Sequence, residues 1–498
     1  MVRTHDVVIV GAGGSGLAAA ARCAELGLSV VVLEKQPQPG GTTGIAVGSF
    51  TANRTRLQQR AGIKDSLDDH AADAGQFATA GIEERNQAAL RRYFLSEASA
   101  TLDWLIGMGL AFHGPSPEPP NRVPRMHNVV PNAKAYIAAL QAKLFRYGGE
   151  LQCDSPVAQI VFDNGRAAGV VAGSEAEQVR YDARLGVVLA AGDYANSHKL
   201  IERFKGKPYA AIEGINPHAL GDGHMLAEKA GARLVNMDVT YGPELRFAPP
   251  ASKRNVFAQM LPSAGTGSRI AGKLLPLVPR TLVHAYIKRL LVTWQHPEER
   301  LFNEGAILVN RAGRRFCDER NWPDREIAVA TQPEKIAYLL LDQRLIELFS
   351  AWPNFISTAP EIAYAYVQDY LKLRPDVAAA AASLQDLSTL RKLPGPALEQ
   401  TVADTNQERE LNGLPPLQGN QWVLLGPVRA YFTTTEGGAA INQQMEVLDS
   451  HDHPIPGLFA IGQNGLGGQI LWGHGLHIAW AITSGRLVAE HLARQQHP

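Results

Sequence analysis

Residues 6–35 read DVVIVGAGGSGLAAAARCAELGLSVVVLEK, and this stretch decides the fold. Residues 7–10 are a short β-branched run, suited to a strand covered on both faces. Gly11, Gly13 and Gly16 follow with G-x-G-x-x-G spacing. Good helix formers come next and are closed by Gly27. A second apolar run ends at Glu34, eighteen residues after Gly16. Each piece has a physical use in holding a dinucleotide. The first glycine permits a tight turn, the second lets backbone approach a pyrophosphate, and the third lets helix and strand pack closely. The helix N-terminus, with Gly14 and Ser15 in its first turn, offers N–H groups and positive dipole to phosphates. Glu34 is placed to accept hydrogen bonds from ribose hydroxyls.

Composition narrows the class. The chain has 498 residues, 45% of them hydrophobic and 19% charged, an ordinary globular balance. Lys+Arg and Asp+Glu stand at 48 each, so there is no strong field to draw nucleic acid. Cys23, Cys153 and Cys317 are too scattered for a disulfide framework, and no CxxC pair suggests zinc or iron–sulfur. No metal site is expected. The first strand begins by Asp6, which leaves no room for a signal peptide, and no apolar run is long enough to span a membrane. A cytoplasmic location is the expectation.

Further glycine-ended strands lie at LGVVLAAGDY (185–194) and GLFAIGQN (457–464), and GDGHMLAEKAGA (221–232) reads as a loop and helix. These pieces suit one large nucleotide domain whose chain leaves, builds something else and returns. Near the end, GLGGQI runs into LWGHGLHIAW (471–480), a glycine-rich loop opening a helix.

GAGGSGLAAA, LEK, GGTT, VVLAAG, GDGHMLAEKAGA, AGRRF, TTTEGGAAIN and GLFAIGQ occur in the order found in the FAD-binding flavoproteins typified by fumarate reductase, succinate dehydrogenase and 3-ketosteroid dehydrogenase. The chain resembles that family over almost its whole length. The resemblance implies an α/β protein: a Rossmann-like FAD-binding domain (1–238 and 433–498) with an inserted α+β capping, substrate-binding domain (239–432). It implies FAD contacts at Gly11, Gly13, Gly14, Ser15, Gly16, Glu34, Lys35, Gly41, Thr42, Thr43, Val157, Ala191, Gly192, Asp222, Gly462 and Gln463. It also places Gly475, His477 and Ile478 by the flavin ring, where a helix N-terminus stabilises the negative charge of the reduced form. His474 and His477 equally suit packed core histidines. The succinate dehydrogenase type has an attachment histidine near GGTTGIAVG; none stands here, so the FAD is expected to be non-covalent. Electrons must leave to a separate acceptor.

Substrate is where the chain departs from its relatives. By alignment, Thr434 replaces a histidine of the fumarate-type enzymes, Trp472 a dicarboxylate-clamping arginine, and Pro323 a proton-donating arginine. Burying a dicarboxylate without paired cations costs several kcal/mol. The expectation is therefore dehydrogenation of a C–C bond next to a carbonyl in a neutral, ketone or steroid-like substrate. Tyr241, Tyr431, His474 and Gly475 are the catalytic candidates, because the oxygen that gains charge needs donors. The alternative is reduction of an activated alkene acid, its carboxylate gripped by Arg325 or Arg315.

Two segments complete the chain. Residues 269–294 mix Leu, Val and Trp with Arg269, Lys273, Arg280, Lys288 and Arg289. They read either as a cap helix with a solvated basic face or as a weak peripheral membrane contact. Residues 374–413 read as helical and Ala-rich.

Overall fold

The computed structural model describes residues 2–174, 177–248, 288, 292, 296–359 and 363–496. Strand β1 (Val2–Val10), helix α1 (Gly14–Glu25) and strand β2 (Val30–Leu33) form where the sequence places them. β1 and β2 pair in parallel with Val7 opposite Val30, a pairing that needs the crossover through α1. Gly27, at φ 87° just past the helix, supplies the left-handed backbone that turns the chain back.

These elements belong to an eight-stranded sheet. Its parallel centre runs Pro454–Ala460, Gln178–Leu189, β1, β2 and Glu150–Gln152. Residues from the start, middle and end of the chain thus lie side by side. Antiparallel strands Glu446–Leu448, Arg166–Gly173 and Val157–Asp163 complete it. The C-terminal helix, Leu476–Gln496, packs on α1. Gly485 permits the approach, since a Cβ there would lie 2.5 Å from Ser15 O and 2.9 Å from Ala18 Cβ. On the same helix the fully buried Trp480 donates Nε1–H to Gly462 O (3.0 Å) and meets Phe94 edge-on at 5.5 Å.

A second sheet, of six strands, has its own apolar core. Trp422–Phe432 is its spine and pairs with Glu244–Phe247, Ala337–Leu341, Ala378–Ala381 and Glu213–Gly214. This core also draws on Tyr194, Leu200, Ile201 and Ile212. The architecture is α/β with an inserted α+β unit.

Residues 374–413, which read as helical, are so except at their start. Ala378–Ala381 is a strand against residues 422–425, and helices follow at Leu384–Arg391 and Gly395–Leu411. Pairing with a buried spine overrides alanine's helix preference. Ser383 then starts the first helix by accepting Asp386 N–H at 3.1 Å. The basic segment 269–294 lies outside the described residues except at Lys288 and Val292. Among the described residues no helix is long and apolar enough to cross a membrane.

A small third sheet joins β3 (Ser49–Thr51), Met126–Val130 and Ala111–Ser116. Arg125, fully buried, is gripped by Asp65 (2.7 and 2.8 Å) and Asp73 (2.5 Å), and its carbonyl accepts Ala52 N–H at 3.2 Å. Deleting one partner of such a buried pair costs about 3–5 kcal/mol. The network therefore fixes β3, against which the loop before the C-terminal helix rests.

Candidate active site

The glycine turn is built tightly. A Cβ on Gly11 would come 2.6 Å from Ala190 O, and one on Gly14 would come 2.5 Å from Thr43 Oγ1. Glu34, nearly buried, accepts Ala12 N–H (2.7 Å) through Oε2 and Gln36 N–H (2.9 Å) through Oε1. The N–H groups of Gly13, Gly14, Ser15 and Gly16 donate to nothing among the described residues. Four free backbone donors at the head of a helix make a cradle for a pyrophosphate.

The other candidates converge on this cradle. Gly41, Thr42 and Thr43 lie over it, and Thr42 Oγ1 accepts from Asn216 Nδ2 (2.9 Å). Lys35 Nζ bonds Asp222 Oδ2 at 2.5 Å. Val157 packs partly buried near the turn where Ser155 N–H donates to Glu34 O (2.8 Å). Asn464 ties three elements together, accepting Ala191 N–H (2.6 Å), donating to Gly192 O (2.9 Å) and touching His224 Nδ1 (3.1 Å). Gly462 N–H donates to Ser484 Oγ (3.0 Å), and a Cβ there would strike Ser15 Oγ at 2.7 Å.

At the far end of this groove the C-terminal helix begins. Gly475, at φ 80°, is pressed on β3: a Cβ would lie 2.9 Å from Ser49 C and from Thr51 Oγ1. Beside its place as a catalytic candidate and flavin neighbour, residue 475 is glycine for a packing reason too, because β3 alone excludes a side chain. The N–H groups of Gly475, His477 and Ile478 have no acceptor among the described residues. The ends of the groove therefore each present unpaired donors, which is what an FAD needs at its phosphates and at its pyrimidine edge.

Two histidine–carboxylate pairs flank the helix start. His477 Nε2 bonds Glu436 Oε1 at 2.7 Å, and Glu436, fully buried, also accepts Leu471 N–H (3.1 Å). His474 Nδ1 bonds Glu118 Oε1 at 2.5 Å, and the same oxygen accepts His474 N–H at 2.7 Å. The His474 side chain is 66% exposed, so it is an open group and not a core histidine. Glu118 raises its pKa above the ordinary histidine value by stabilising the imidazolium. That pair adds stability that is full below the ordinary histidine pKa and is lost as pH rises through the raised value.

Tyr241 lies across from Trp472, ring to ring at 5.7 Å and nearly perpendicular. Burial, with Glu244 and Glu118 nearby, pushes its hydroxyl up, so it stays protonated. Trp472 Nε1–H is buried without a partner among the described residues. Behind Tyr241, Glu244 Oε1 accepts from Thr433 Oγ1 (2.8 Å), Arg246 Nη2 reaches Glu244 Oε2 (3.3 Å), and His296 Nδ1 lies 3.3 Å from that same oxygen. Tyr431 is opposite Glu244 on the paired strand, and burial pushes its hydroxyl pKa up. The structure thus gathers Tyr241, His474 and Gly475, and leaves Tyr431 one strand away. Thr434 is held by Asp193 (2.9 Å) and Gln463 (2.6 Å).

Neither arginine named for gripping a carboxylate is unpaired. Arg325 is buried between Glu299 (2.6 Å) and Glu326 (2.6 Å), and Arg315 bonds Glu319 (2.8 Å) and Glu408 (2.5 Å). Glu118, Glu436, Arg246 and Asn464 escape the sequence reading. Only Glu436 carried a local signal, as a lone carboxylate within the apolar, glycine-rich run TTTEGGAA. Among the described residues no His, Cys, Asp and Glu cluster suits a metal ion.

A family model described as FAD binding domain matches residues 6–253 and 270–469. A fumarate reductase (cytochrome) of Shewanella frigidimarina is 26% identical over 99% of this chain and 77% of its own length. Among solved structures, the open conformation of a flavocytochrome c3 fumarate reductase superposes with a TM-score of 0.72 at 22% identity, covering 100% of this chain and 79% of that one. A 3-ketosteroid Δ1-dehydrogenase from Sterolibacterium denitrificans superposes at 0.65 and 20% identity, covering 99% of this chain and 100% of that one.

Proposed function

Because the chain belongs to the FAD binding domain family, we propose that this FAD-dependent oxidoreductase works on a C–C bond next to the carbonyl of an uncharged substrate. FAD, when bound, takes up or supplies the hydride. The observation that carries the reading is the pair of unpaired donors beside the His474–Glu118 pair, Trp472 Nε1–H and Gly475 N–H, with the N–H groups of His477 and Ile478 left to the cofactor. A carbonyl oxygen gains charge when its α-carbon loses a proton, and fixed donors stabilise that charge. His474 takes the α-proton at Nε2 while Nδ1 stays bonded to Glu118, which holds the ring in place. Tyr241, kept protonated, offers a further donor to the carbonyl.

Reduction of a conjugated alkene uses the same groups in reverse, and the similarity to a fumarate reductase keeps that direction as the second reading. An acid substrate is disfavoured, since Arg325 and Arg315 are each held by two glutamates. The test is anaerobic bleaching of the bound flavin by a cyclic ketone, and reoxidation of reduced enzyme by an enone, each beside its carboxylate analogue. Preference for the neutral partner supports the proposal. Preference for the carboxylate overturns it.

Two expectations concern the cofactor. FAD is held without a covalent bond, because residues 40–50 carry no histidine, cysteine or tyrosine. Acid precipitation should release all yellow colour to the supernatant, and colour kept in the pellet would refute this. Glu34→Ala should weaken FAD binding by about 1.5–3 kcal/mol, the worth of hydrogen bonds to a charged group. That is about ten- to hundredfold in dissociation constant by fluorescence titration, with the far-UV spectrum unchanged.

A further inference from the structure

A cavity of about 250 Å³ opens beside Tyr241, between the segment from His296 to Phe302 and the helix that carries Glu326. Three features of its wall are unusual together. First, Glu326 is fully buried and only half satisfied. Its Oε1 accepts from Arg325 Nε (2.9 Å) and Nη2 (2.6 Å), whereas Oε2 is buried with no partner among the described residues. Burial pushes this carboxyl up to about 7, the behaviour of an acid short of donors. Second, the wall holds three carboxylates, Glu244, Glu299 and Glu326, against the guanidinium of Arg325 and the imidazole of His296, with Arg246 reaching Glu244 from outside the wall. Third, three aromatic rings, Tyr241, Phe302 and Trp322, are part of the wall. Phe302 already carries the Arg325 guanidinium over its face at 4.1 Å, and Trp322 is half exposed.

An orphaned carboxylate oxygen calls for a donor. An excess of acid calls for a cation, and aromatic walls favour one. A carboxylate or phosphate would meet repulsion here.

We infer that this cavity binds a protonated primary amine, its ammonium donating to Glu326 Oε2 and to Glu299. The site stands apart from the uncharged carbonyl substrate proposed above and does not rest on that reaction.

The test is calorimetric titration of the FAD-loaded enzyme with n-butylammonium, 1-butanol and butyrate at equal ionic strength. Butylammonium should bind, butanol should bind more weakly, and butyrate should give no heat. Glu326→Gln should weaken butylammonium by at least about tenfold, the loss expected for a hydrogen bond to a charged group. Glu299→Gln, a milder change on the solvent side of the pocket, should weaken it by less, and serves if Glu326→Gln does not fold. Silence from butylammonium at hundreds of millimolar, equal binding of butyrate, or wild-type affinity in both variants would overturn the inference. The same preparation is assayed with uncharged ketones. Ketone turnover without ammonium binding defeats the inference alone, and ammonium binding without turnover of any carbonyl compound defeats the proposed reaction alone.

Discussion

Gly16→Ala should leave the protein almost without FAD. A Cβ at this position would lie 1.9 Å from Gly11 O and 3.3 Å from Ala190 Cβ. The nearer atom is backbone and cannot swing aside. Gly11 cannot retreat either, because it has φ 105° and its own missing Cβ lies 2.6 Å from Ala190 O. The turn must open, parting α1 from β1 and turning the free N–H groups of residues 13–16 off their common centre. Overpacking alone costs about 1–3 kcal/mol. With the phosphate donors misaligned as well, affinity should fall more than about a hundredfold. Absorbance of the purified variant should show little flavin per chain while far-UV circular dichroism keeps its native shape. Stoichiometric FAD in this variant would contradict the account of the turn.

The second large effect belongs to His474. His474→Ala should slow substrate-dependent flavin reduction by about 10²–10⁴, the usual worth of a general base, with FAD content intact. Glu118 acts through His474, so its test is a pH profile. Glu118 raises the His474 pKa. A base must be neutral to accept a proton, so the dehydrogenation rate rises with pH through that raised value. Glu118→Gln removes the largest cause of the shift, and the rising limb should move to lower pH. In the reductive direction His474 gives up the proton, the limb falls with pH, and the same variant moves that fall to lower pH as well. Stopped-flow reduction across pH reads both. If His474→Ala reduces flavin at the wild-type rate, the proton leaves by another route.

What was legible in the sequence is what rests on local pattern. β1, α1 and β2 follow from a strand-length apolar run, a glycine turn and a capped helix within 30 residues, and the structure keeps all three. The glycine-ended strands far along the chain were legible for the same reason. The Ala378–Ala381 strand was not, because alanine favours helix and the pairing that overrides it is with a spine more than 40 residues later. Glu118 was hidden for the same kind of reason: it meets His474 across 356 residues, and nothing near residue 118 marks it. Arg315 and Arg325 read as available cations until their glutamates came into view, two of them supplied by other helices.

The placing of strand Pro454–Ala460 inside the sheet, and of the C-terminal helix on α1, has a consequence for biosynthesis. The first βαβ unit leaves the ribosome early, but the segments that cover it arrive about 460 residues later. At roughly 5–20 residues per second that is roughly half a minute to a minute and a half. One apolar face of α1 has no partner throughout that interval, and the edge of strand Gln178–Leu189 has none from its own synthesis until its partner at Leu458–Ala460 is made roughly 270 residues later, a state that invites wrong pairing. A cofactor gripped at both ends could not be retained either, since Gly462 and the helix start at Leu476 emerge long after the glycine turn at residues 11–16. The nascent chain should therefore depend on holding chaperones, and cofactor loading should wait until translation has passed residue 496.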